Sequence, residues 1–341
     1  MTAGFVLLIT AQITVRGTVL AAETHEPLGF SIVALYPGFG QRFTDAGGTF
    51  VFDSARPGTY LLSVRQIGYA PLDTQIVIGD DSATGIDLVL HRLAIELPPV
   101  TVAARQCTSP GAPDSSDAAL RAIFDQLQEN ARRLELLADS FPFDYTLERV
   151  TRTINQRGDT GPPVTSHLRF SSRDDRRHPY AVGRVVERAW GAWGNGDSLV
   201  VIHTAGLEDL GSPAFVANHC FSLAGLDTVG GETFLRINFE PALRIRWADM
   251  AGAAFLDTAT YAVRYTKTAV TRPDRSSMRR DVLSMTFRTR FREIAPHIPL
   301  PDSATVLTKY RFNGGAEIDW QRTTEIRFRH ALPPATPKVA P

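Results

Sequence analysis

Hydrophobic and polar residues alternate over short stretches in the N-terminal part of the chain. The alternating positions are Phe50 and Phe52, then Tyr60, Leu62 and Val64, then Ile76, Ile78, Ile86, Leu88 and Leu90. A period of two residues is typical of β-strands with one buried face. Turn residues separate the stretches, at Asp45 with Gly47-Gly48 and at Pro57-Gly58. Short strands at regular spacing with such turns indicate a β-sandwich.

The period changes after a stretch of turn-and-coil composition at residues 108–116. Apolar residues then recur at steps of three and four, at Ala118, Leu120, Ile123, Phe124, Leu127, Ala131, Leu134 and Leu137. This spacing predicts an amphipathic helix, with Ser116 or Asp117 as its N-cap and an end at Phe141-Pro142.

Most of the remaining sequence alternates again, which predicts strands. These segments are residues 145–154, 167–171, 199–203, 234–239, 253–256, 261–268, 282–291, 306–312 and 317–328. Many positions on one face are charged or polar, as at Arg288, Arg290 and Arg292. A long antiparallel sheet with one face in water gives this alternation.

Five landmarks in the first third of the chain carry a specific resemblance. They are Val15-Arg16-Gly17-Thr18-Val19, Glu26-Pro27-Leu28-Gly29-Phe30-Ser31-Ile32-Val33, the Asp45–Phe50 turn, the Pro57–Tyr60 turn and Ile67-Gly68-Tyr69. In this order they resemble the carboxypeptidase regulatory-like domain. The resemblance implies a seven-stranded, prealbumin-like β-sandwich of the carbohydrate-binding-like class, which serves as an accessory domain without catalytic residues.

A weaker resemblance covers about a hundred residues of the C-terminal part. The segments Phe234–Pro241, Met250–Asp257 and Tyr261–Tyr265 resemble the strand series of LolA-like half-barrels, found in periplasmic lipoprotein carriers and other bacterial envelope proteins. In that fold a curved sheet wraps a helix or an apolar ligand. The helix at residues 118–138 is expected either inside this sheet or across its mouth.

Together these patterns predict a mainly β protein, with an N-terminal seven-stranded sandwich and a C-terminal curved antiparallel β half-barrel with one amphipathic helix. The expected divisions are a signal-like segment (1–12), the regulatory-like sandwich (13–104), a linker (105–117), the helix with the half-barrel (118–332) and a disordered tail (333–341). Residues 1–12 fit either a truncated export signal or a first strand running from Phe5 to Val15.

Composition narrows the classes of partner. The chain has 341 residues, with 36 basic and 36 acidic side chains and a formal net charge of zero. A nucleic-acid-binding domain would favour a basic balance, so no nucleic-acid partner is expected. No apolar run reaches the ~18 residues of a membrane span. An exported protein, in the periplasm or on the outer cell surface, is the expected localisation.

The two cysteines, Cys107 and Cys220, are an even count, which in an exported protein suggests a disulfide. Two-domain envelope proteins of the kind resembled here also tend to place cysteines at such positions. The alternative is a pair of buried free thiols. A cysteine nucleophile is not favoured, because His219 is a sequence neighbour whose side chain diverges from that of Cys220 on a strand.

No catalytic residues, metal ligands or cofactor site are predicted. The eight histidines form no compact metal-ligand spacing, and no Gly-x-Ser-x-Gly elbow occurs. The charged segments 174–178 and 279–281 are interpreted as solvated loops. Four tryptophans are the candidate binding residues, as an aromatic platform for a sugar ring or an acyl chain: Trp190, Trp193, Trp247 and Trp320. The alternative for Trp190 and Trp193 is a buried hairpin end.

Three functional hypotheses follow. The first is a non-catalytic envelope protein whose sandwich mediates interaction with an envelope partner and whose half-barrel holds a lipid or another apolar ligand. The second is a structural or adhesive surface module that binds a glycan or a receptor. The third is a hydrolase or hydrolase accessory protein, which requires an acid–base or metal cluster that the sequence does not show. An apolar lining inside the sheet would favour the first hypothesis over the other two.

Overall fold

The structure is a computed structural model that describes residues 13–79, 84–95, 106–173, 179–190, 198–203, 206–275, 282–311 and 314–332. For Thr84, residues 187–190 and residues 198–202 it describes the backbone only. The described residues divide into two compact units, one built on residues 13–93 and the other on residues 94–331. The expected tail, the signal-like segment and both charged loops lie outside the described residues.

The described residues of the first unit form seven strands. They are β1 (Ile13–Ala21), β2 (Ile32–Tyr36), β3 (Gly40–Phe43), β4 (Thr49–Ala55), β5 (Gly58–Arg65), β6 (Leu72–Ile78) and β7 (Thr84–Leu90). One sheet has the order β4-β1-β7 and the other β3-β2-β5-β6, and β1 runs parallel to β7. Alternate residues of both sheets, among them Val15, Phe52, Leu62 and Val64, form one buried core. This is the sandwich that the period-two pattern predicts.

The turn at Asp45 shows why its residue type matters. The Asp45 carboxylate accepts hydrogen bonds from the backbone N–H groups of Gly47, at 2.9 Å, and Thr49, at 2.8 Å. Gly48 has a φ of 75°, which a residue without a Cβ adopts at little cost. Asp45 is therefore a turn residue that starts the β4 strand.

Within its described residues, the second unit combines three α-helices with eleven strands. The helices are α1 (Ala118–Ser140), α2 (Leu207–Gly211) and α3 (Pro213–Val216). The strands are β8 (Phe143–Ile154), β9 (Val164–Ser171), β10 (Val186–Trp190), β11 (Ser198–Ile202), β12 (His219–Val229), β13 (Glu232–Pro241), β14 (Asp249–Asp257), β15 (Val263–Thr271), β16 (Val282–Ala295), β17 (Ile298–Tyr310) and β18 (Ala316–Phe328).

Nine of these strands form one large sheet. Its order is β12-β13-β14-β15-β16-β17-β18-β8-β9, and every neighbouring pair is antiparallel. The sheet is curved and does not close, which confirms the expected architecture. Strands β10 and β11 form a separate two-stranded hairpin.

Helix α1 lies against one face of this sheet. Its N-cap is Asp117, whose carboxylate accepts from the Leu120 N–H at 3.0 Å, and its C-cap is Phe141, as expected. The Phe124 ring meets Phe221 of β12 at 4.7 Å between centroids. Leu120, Ile123, Phe124 and Leu127 are buried, so the apolar stripe read from the sequence is the face that packs.

The structure adds two helices to the one expected. Helices α2 and α3 are only five and four residues long, too short to show a helical period in the sequence. Local capping defines them instead, because the Ser212 hydroxyl accepts from the Phe215 N–H at 3.2 Å. No helix within the described ranges is long and apolar enough to cross a membrane.

Candidate functional site

Of the four tryptophans, Trp247 and Trp320 are the two whose side chains the structure describes. Trp190 is the last residue of β10, where only the backbone is described, and Trp193 lies outside the described residues. The Trp247 and Trp320 side chains are 62% and 41% exposed. Trp247 lies beside Gly183, whereas Trp320 belongs to β18, and these two described rings make no aromatic contact with each other. The aromatic platform stays a prediction.

The two cysteines form a disulfide. The Cα atoms of Cys107 and Cys220 are 5.5 Å apart, and both side chains pack with Ala242 and Ile245. The Leu243 N–H donates to the Cys107 carbonyl at 2.9 Å. The bridge therefore fastens the segment before α1 to the edge strand β12, and it leaves no thiol for nucleophilic chemistry.

A polar network is buried next to this edge strand. The His219 and Asp249 side chains are fully buried, with 3.4 Å between His219 Nε2 and Asp249 Oδ1. His219 Nδ1 lies 2.9 Å from the Phe215 carbonyl oxygen, and Nε2 lies 3.0 Å from the Met250 carbonyl oxygen. Both ring nitrogens are therefore within hydrogen-bond distance of a backbone carbonyl oxygen, and the Asp249 carboxylate lies beside Nε2.

The Tyr180 hydroxyl completes this network by donating to Asp249 Oδ2 at 2.8 Å. Burial, and then the Asp249 charge, raises the pKa of Tyr180 above its usual value. The Phe215 ring stacks on His219 at 3.6 Å between centroids. The network links β12, β14 and the segment before β10, and its polar atoms are all engaged with one another or with the backbone.

A small cleft lies beside Tyr180. It is lined by Pro179, Tyr180, Ala181, Arg184, Val185, His203 and Asp209. Burial raises the pKa of Asp209, while the bonds that its carboxylate accepts from Gly206 N–H at 3.0 Å and Tyr180 N–H at 3.1 Å oppose the rise. Asp209 thus holds the start of α2 in place. In the described part of the chain, no group of three or more His, Cys, Asp or Glu side chains is arranged to hold a metal ion.

The face of the large sheet that is opposite α1 has a different character. Residues directly opposite on neighbouring strands point to the same side, so the pairing registers define two adjacent rows across this face. We call them the basic rows. The first row is Arg236, Phe255, Tyr265, Arg290, Ser303, Arg322 and Glu148. The second row is Asn238, Ala253, Lys267, Arg288, Thr305, Trp320 and Val150.

Aromatic rings form the base of the basic rows. Phe234, Phe255 and Tyr265 are 2%, 1% and 6% exposed and pack together, with Phe234 and Tyr265 at 4.8 Å between centroids. Lys267 Nζ lies 4.7 Å from the centre of the Phe255 ring, and Arg288 Cζ lies 5.2 Å from that of Tyr265. These distances are in the range of cation–π attraction. The cations thus cover a small apolar cluster and keep their charges in water.

Most of these cations have no acidic partner. Arg236 pairs with Asp227 at 3.1 Å. Within the described ranges, no carboxylate lies within 4.0 Å of a side-chain nitrogen of the other four, which are Lys267, Arg288, Arg290 and Arg322. The only acidic member of the two rows is Glu148, directly opposite Arg322. Burial, and next the Glu232 charge, raises the pKa of Tyr265, while Arg288 and Arg290 oppose the rise.

An open hollow lies near the other end of the same strands. It is lined by Arg292, Glu293, Ile294, Thr323, Thr324, Glu325, Ile326 and Phe328, and its cavity volume is about 330 Å³. Its lining mixes charged side chains with three apolar ones. This size is within the range of small-molecule sites, which are usually more apolar.

Sequence reasoning named only one member of the basic rows, Trp320, as a binding residue. It noted Arg288 and Arg290 merely as members of a wet face. The rows can be identified only from the pairing register across seven strands. Alternation within one strand does not reveal that register. The run of Arg at every second position from Arg288 to Arg292 was the available signal.

Comparison with known proteins returns both resemblances. Residues 14–91 match the family model of the carboxypeptidase regulatory-like domain. A DUF1329 family protein from Desulfovibrio piger is 14% identical, with 62% of this chain and 94% of that protein covered at a TM-score of 0.33. A LolA superfamily protein from Nitrosomonas europaea is 11% identical, with 61% and 94% covered at a TM-score of 0.31.

Another structural match involves only a part of each protein. Catechol 1,2-dioxygenase from Pseudomonas arvilla is 15% identical, with 26% of this chain covered at a TM-score of 0.22, and the chain spans about half (54%) of that enzyme's length. No curated protein is significantly similar to the chain. Because the identities and TM-scores are this low, no functional conclusion is drawn from the structural matches.

Proposed function

We propose that this protein is an exported, non-catalytic binding protein of the bacterial cell envelope. In this proposal the regulatory-like sandwich of residues 14–91 contacts an envelope partner, and the large sheet of the second unit presents the ligand-binding surface. The observation that carries the binding role is the sheet face opposite α1, where Lys267, Arg288, Arg290 and Trp320 lie exposed and, among the described residues, no carboxylate pairs with these three cations.

The disulfide supports the exported location. Structural disulfides persist in oxidising compartments such as the periplasm and the cell surface, and they are rare in the cytosol. Both cysteines are consumed in one bridge that is buried at Cys107. A protein that worked in a reducing compartment would gain nothing from this bridge.

The distribution of polar groups supports a non-catalytic role. The titratable side chains that come together, His219, Asp249 and Tyr180, are buried and satisfy one another. A general acid or base has to reach a substrate proton within hydrogen-bond distance. The His219 and Asp249 side chains have no exposed surface from which to do so.

An apolar ligand is the second candidate, favoured by the open hollow beside Ile294, Ile326 and Phe328. Helix α1 already occupies the sheet face that an internal lipid would share, since Phe124 packs on Phe221. A lipid would therefore enter from the open end of the strands.

Native mass spectrometry tests the proposed function. The full chain is produced with an export signal, purified without reductant and measured in non-denaturing buffer. A bound lipid or glycan, seen as a mass excess that denaturation removes, or a specific envelope partner in a pull-down, is the expected result. A clean apo mass together with the absence of any partner would contradict a binding role, and turnover of a model ester or peptide would contradict the non-catalytic role.

A further inference from the structure

We propose that the basic rows bind an extended anionic polysaccharide, with the cations contacting its charged groups and Trp320 stacking on a sugar ring. This inference deepens the proposed function, on which it rests, by naming the class of ligand for the sheet face opposite α1. It draws on three features of that face: the arrangement of charge, the length of the rows, and the depth of the aromatic rings.

The arrangement of charge is unfavourable for the free protein. Lys267 and Arg288 stand directly opposite each other on β15 and β16. Like charges in this position destabilise a sheet. Arg290 extends the cluster on the same strand, and no carboxylate in the described part of the chain neutralises these three side chains. The cation–π contacts of Lys267 with Phe255 and of Arg288 with Tyr265 offset part of this cost, but they do not neutralise the charges. Such a local cost is typical of functional positions, and an anionic ligand would remove the repulsion.

The length of the rows suits a polymer. Cations of the basic rows occur on β13, β15, β16 and β18, from Arg236 to Arg322. Five strand-to-strand steps of ~4.8 Å give a track of about 24 Å. A single small anion would contact one or two of these cations, whereas a chain of repeated anionic groups contacts all of them. Arginine also binds sulfate, phosphate and carboxylate groups with two parallel hydrogen bonds.

The depth of the rings favours a polysaccharide over a lipid bilayer. Phe234, Phe255 and Tyr265 are buried under the cations and have no surface to insert into a membrane. Trp320 is the ring that is exposed within the rows, at 41%. A lone exposed ring beside cations can stack on one sugar, because an aromatic side chain has an apolar face and a polar edge. Anionic vesicles are therefore the alternative that the experiment must separate.

The experiment measures binding of the full-length, oxidised protein to dextran sulfate, with uncharged dextran and phosphatidylglycerol vesicles as the other probes. The variant is Lys267→Gln with Arg288→Gln. Its matched control is Arg132→Gln with Arg157→Gln, which removes the same charge at two exposed positions outside the rows. Thermal unfolding of each protein accompanies the binding curves. Trp320→Ala is measured as a third protein.

We expect the wild type to bind dextran sulfate and neither uncharged dextran nor vesicles, with an affinity that falls steeply as salt rises. The double variant in the rows should bind at least about tenfold more weakly, since two charge-assisted contacts with the anionic ligand are lost. It should also unfold at the same or a higher temperature than wild type, because the like-charge pair is gone. The control should bind like wild type, and Trp320→Ala should lose part of the affinity.

Three outcomes would overturn the inference. Equal losses in the row variant and the control would show non-specific charge binding. Binding to vesicles in place of dextran sulfate would assign the rows to a lipid surface. If the folded wild type bound neither dextran sulfate nor vesicles, an anionic ligand would be ruled out. The proposed function would still be tested separately by the native mass spectrum and the pull-down.

Discussion

In the second unit, some polar side chains have a structural role, and others are proposed to bind a ligand. His219, Asp249 and Tyr180 are buried and mutually satisfied, whereas Lys267 and Arg288 are exposed and opposed. Removing one hydrogen-bond partner from the buried network leaves a buried polar group unsatisfied, which costs about 1–3 kcal/mol. The polar atoms of the buried network are therefore engaged in structural contacts, whereas the Lys267 and Arg288 side chains face solvent.

Tyr180→Phe tests the network at this scale. The substitution removes the hydroxyl that donates to Asp249, and bonds to charged groups are worth about 1.5–3 kcal/mol, so the free energy of unfolding should fall by about 2 kcal/mol at pH 7. The raised pKa of Tyr180 adds a pH dependence. Below about pH 10 tyrosine is protonated in both states. Above it the unfolded tyrosine ionises first, so the advantage of the wild type shrinks as pH rises.

Urea denaturation of both proteins at pH 7 and near pH 10.5 measures this difference. Tyr36→Phe is the control, because Tyr36 is 45% exposed, and it should change neither value. A difference between wild type and Tyr180→Phe that stays constant over this range would show that the hydroxyl is not selectively held in its neutral form.

At the scale of elements, hydrophobic periodicity predicted whether a segment is a helix or a strand, but not which other elements it packs against. The apolar stripe predicted helix α1 together with its N-cap and its C-terminal end, because side-chain spacing and capping are local properties. The alternation gave most strands of the large sheet. Strands β10 and β12 were not among the predicted segments, and in β12 the register shift between Leu223 and Gly225 interrupts the alternation.

The candidate site depends on information that no single element contains. Lys267 and Arg288 meet because β15 and β16 pair in one register, and a shift by one residue would turn one of them to the opposite face. His219 meets Asp249 across β13, from 30 positions away in the sequence. The sequence predicts a wet face with many arginines, and only the register shows that Lys267 and Arg288 face each other, with no carboxylate paired to either among the described residues.

Asn130 shows how one side chain joins two elements. Its Nδ2 donates to the Tyr261 carbonyl at 3.0 Å, and its Oδ1 accepts from the Val263 N–H at 2.9 Å. Asn130→Ala would leave both of these buried backbone groups of the turn before β15 unpaired. Since an unsatisfied buried group costs about 1–3 kcal/mol, we expect a loss of about 2–5 kcal/mol in the free energy of unfolding.

Chemical denaturation gives this loss, with Arg132→Ala, an exposed neighbour on the same helix, as a control that should stay within about 0.5 kcal/mol of wild type. Hydrogen exchange adds a local readout, because the Val263 amide should exchange faster in Asn130→Ala. Unchanged exchange at Val263 would mean that water or a shifted side chain replaces the asparagine.

At the scale of the whole molecule, the two units are stabilised by different means. The first unit, built on residues 13–93, has a sandwich core and contains no cysteine. The second unit contains both cysteines and the large open sheet. Its disulfide joins the residues before α1 to the edge strand β12, so it protects an edge that would otherwise be free to separate.

Reduction should therefore destabilise one unit and not the other. The bridge closes a sequence separation of 113 residues, for which the chain-entropy model gives about 4–5 kcal/mol. Calorimetry of the full chain with and without reductant, combined with hydrogen exchange of peptides from each unit, measures the effect. The transition of residues 106–331 should move to a lower temperature, and that of residues 13–93 should stay in place. Cys107→Ser with Cys220→Ser should reproduce the reduced profile without reductant. If reduction lowered both transitions together, the two units would unfold as one cooperative body, and the sandwich could not act as an independent interaction module.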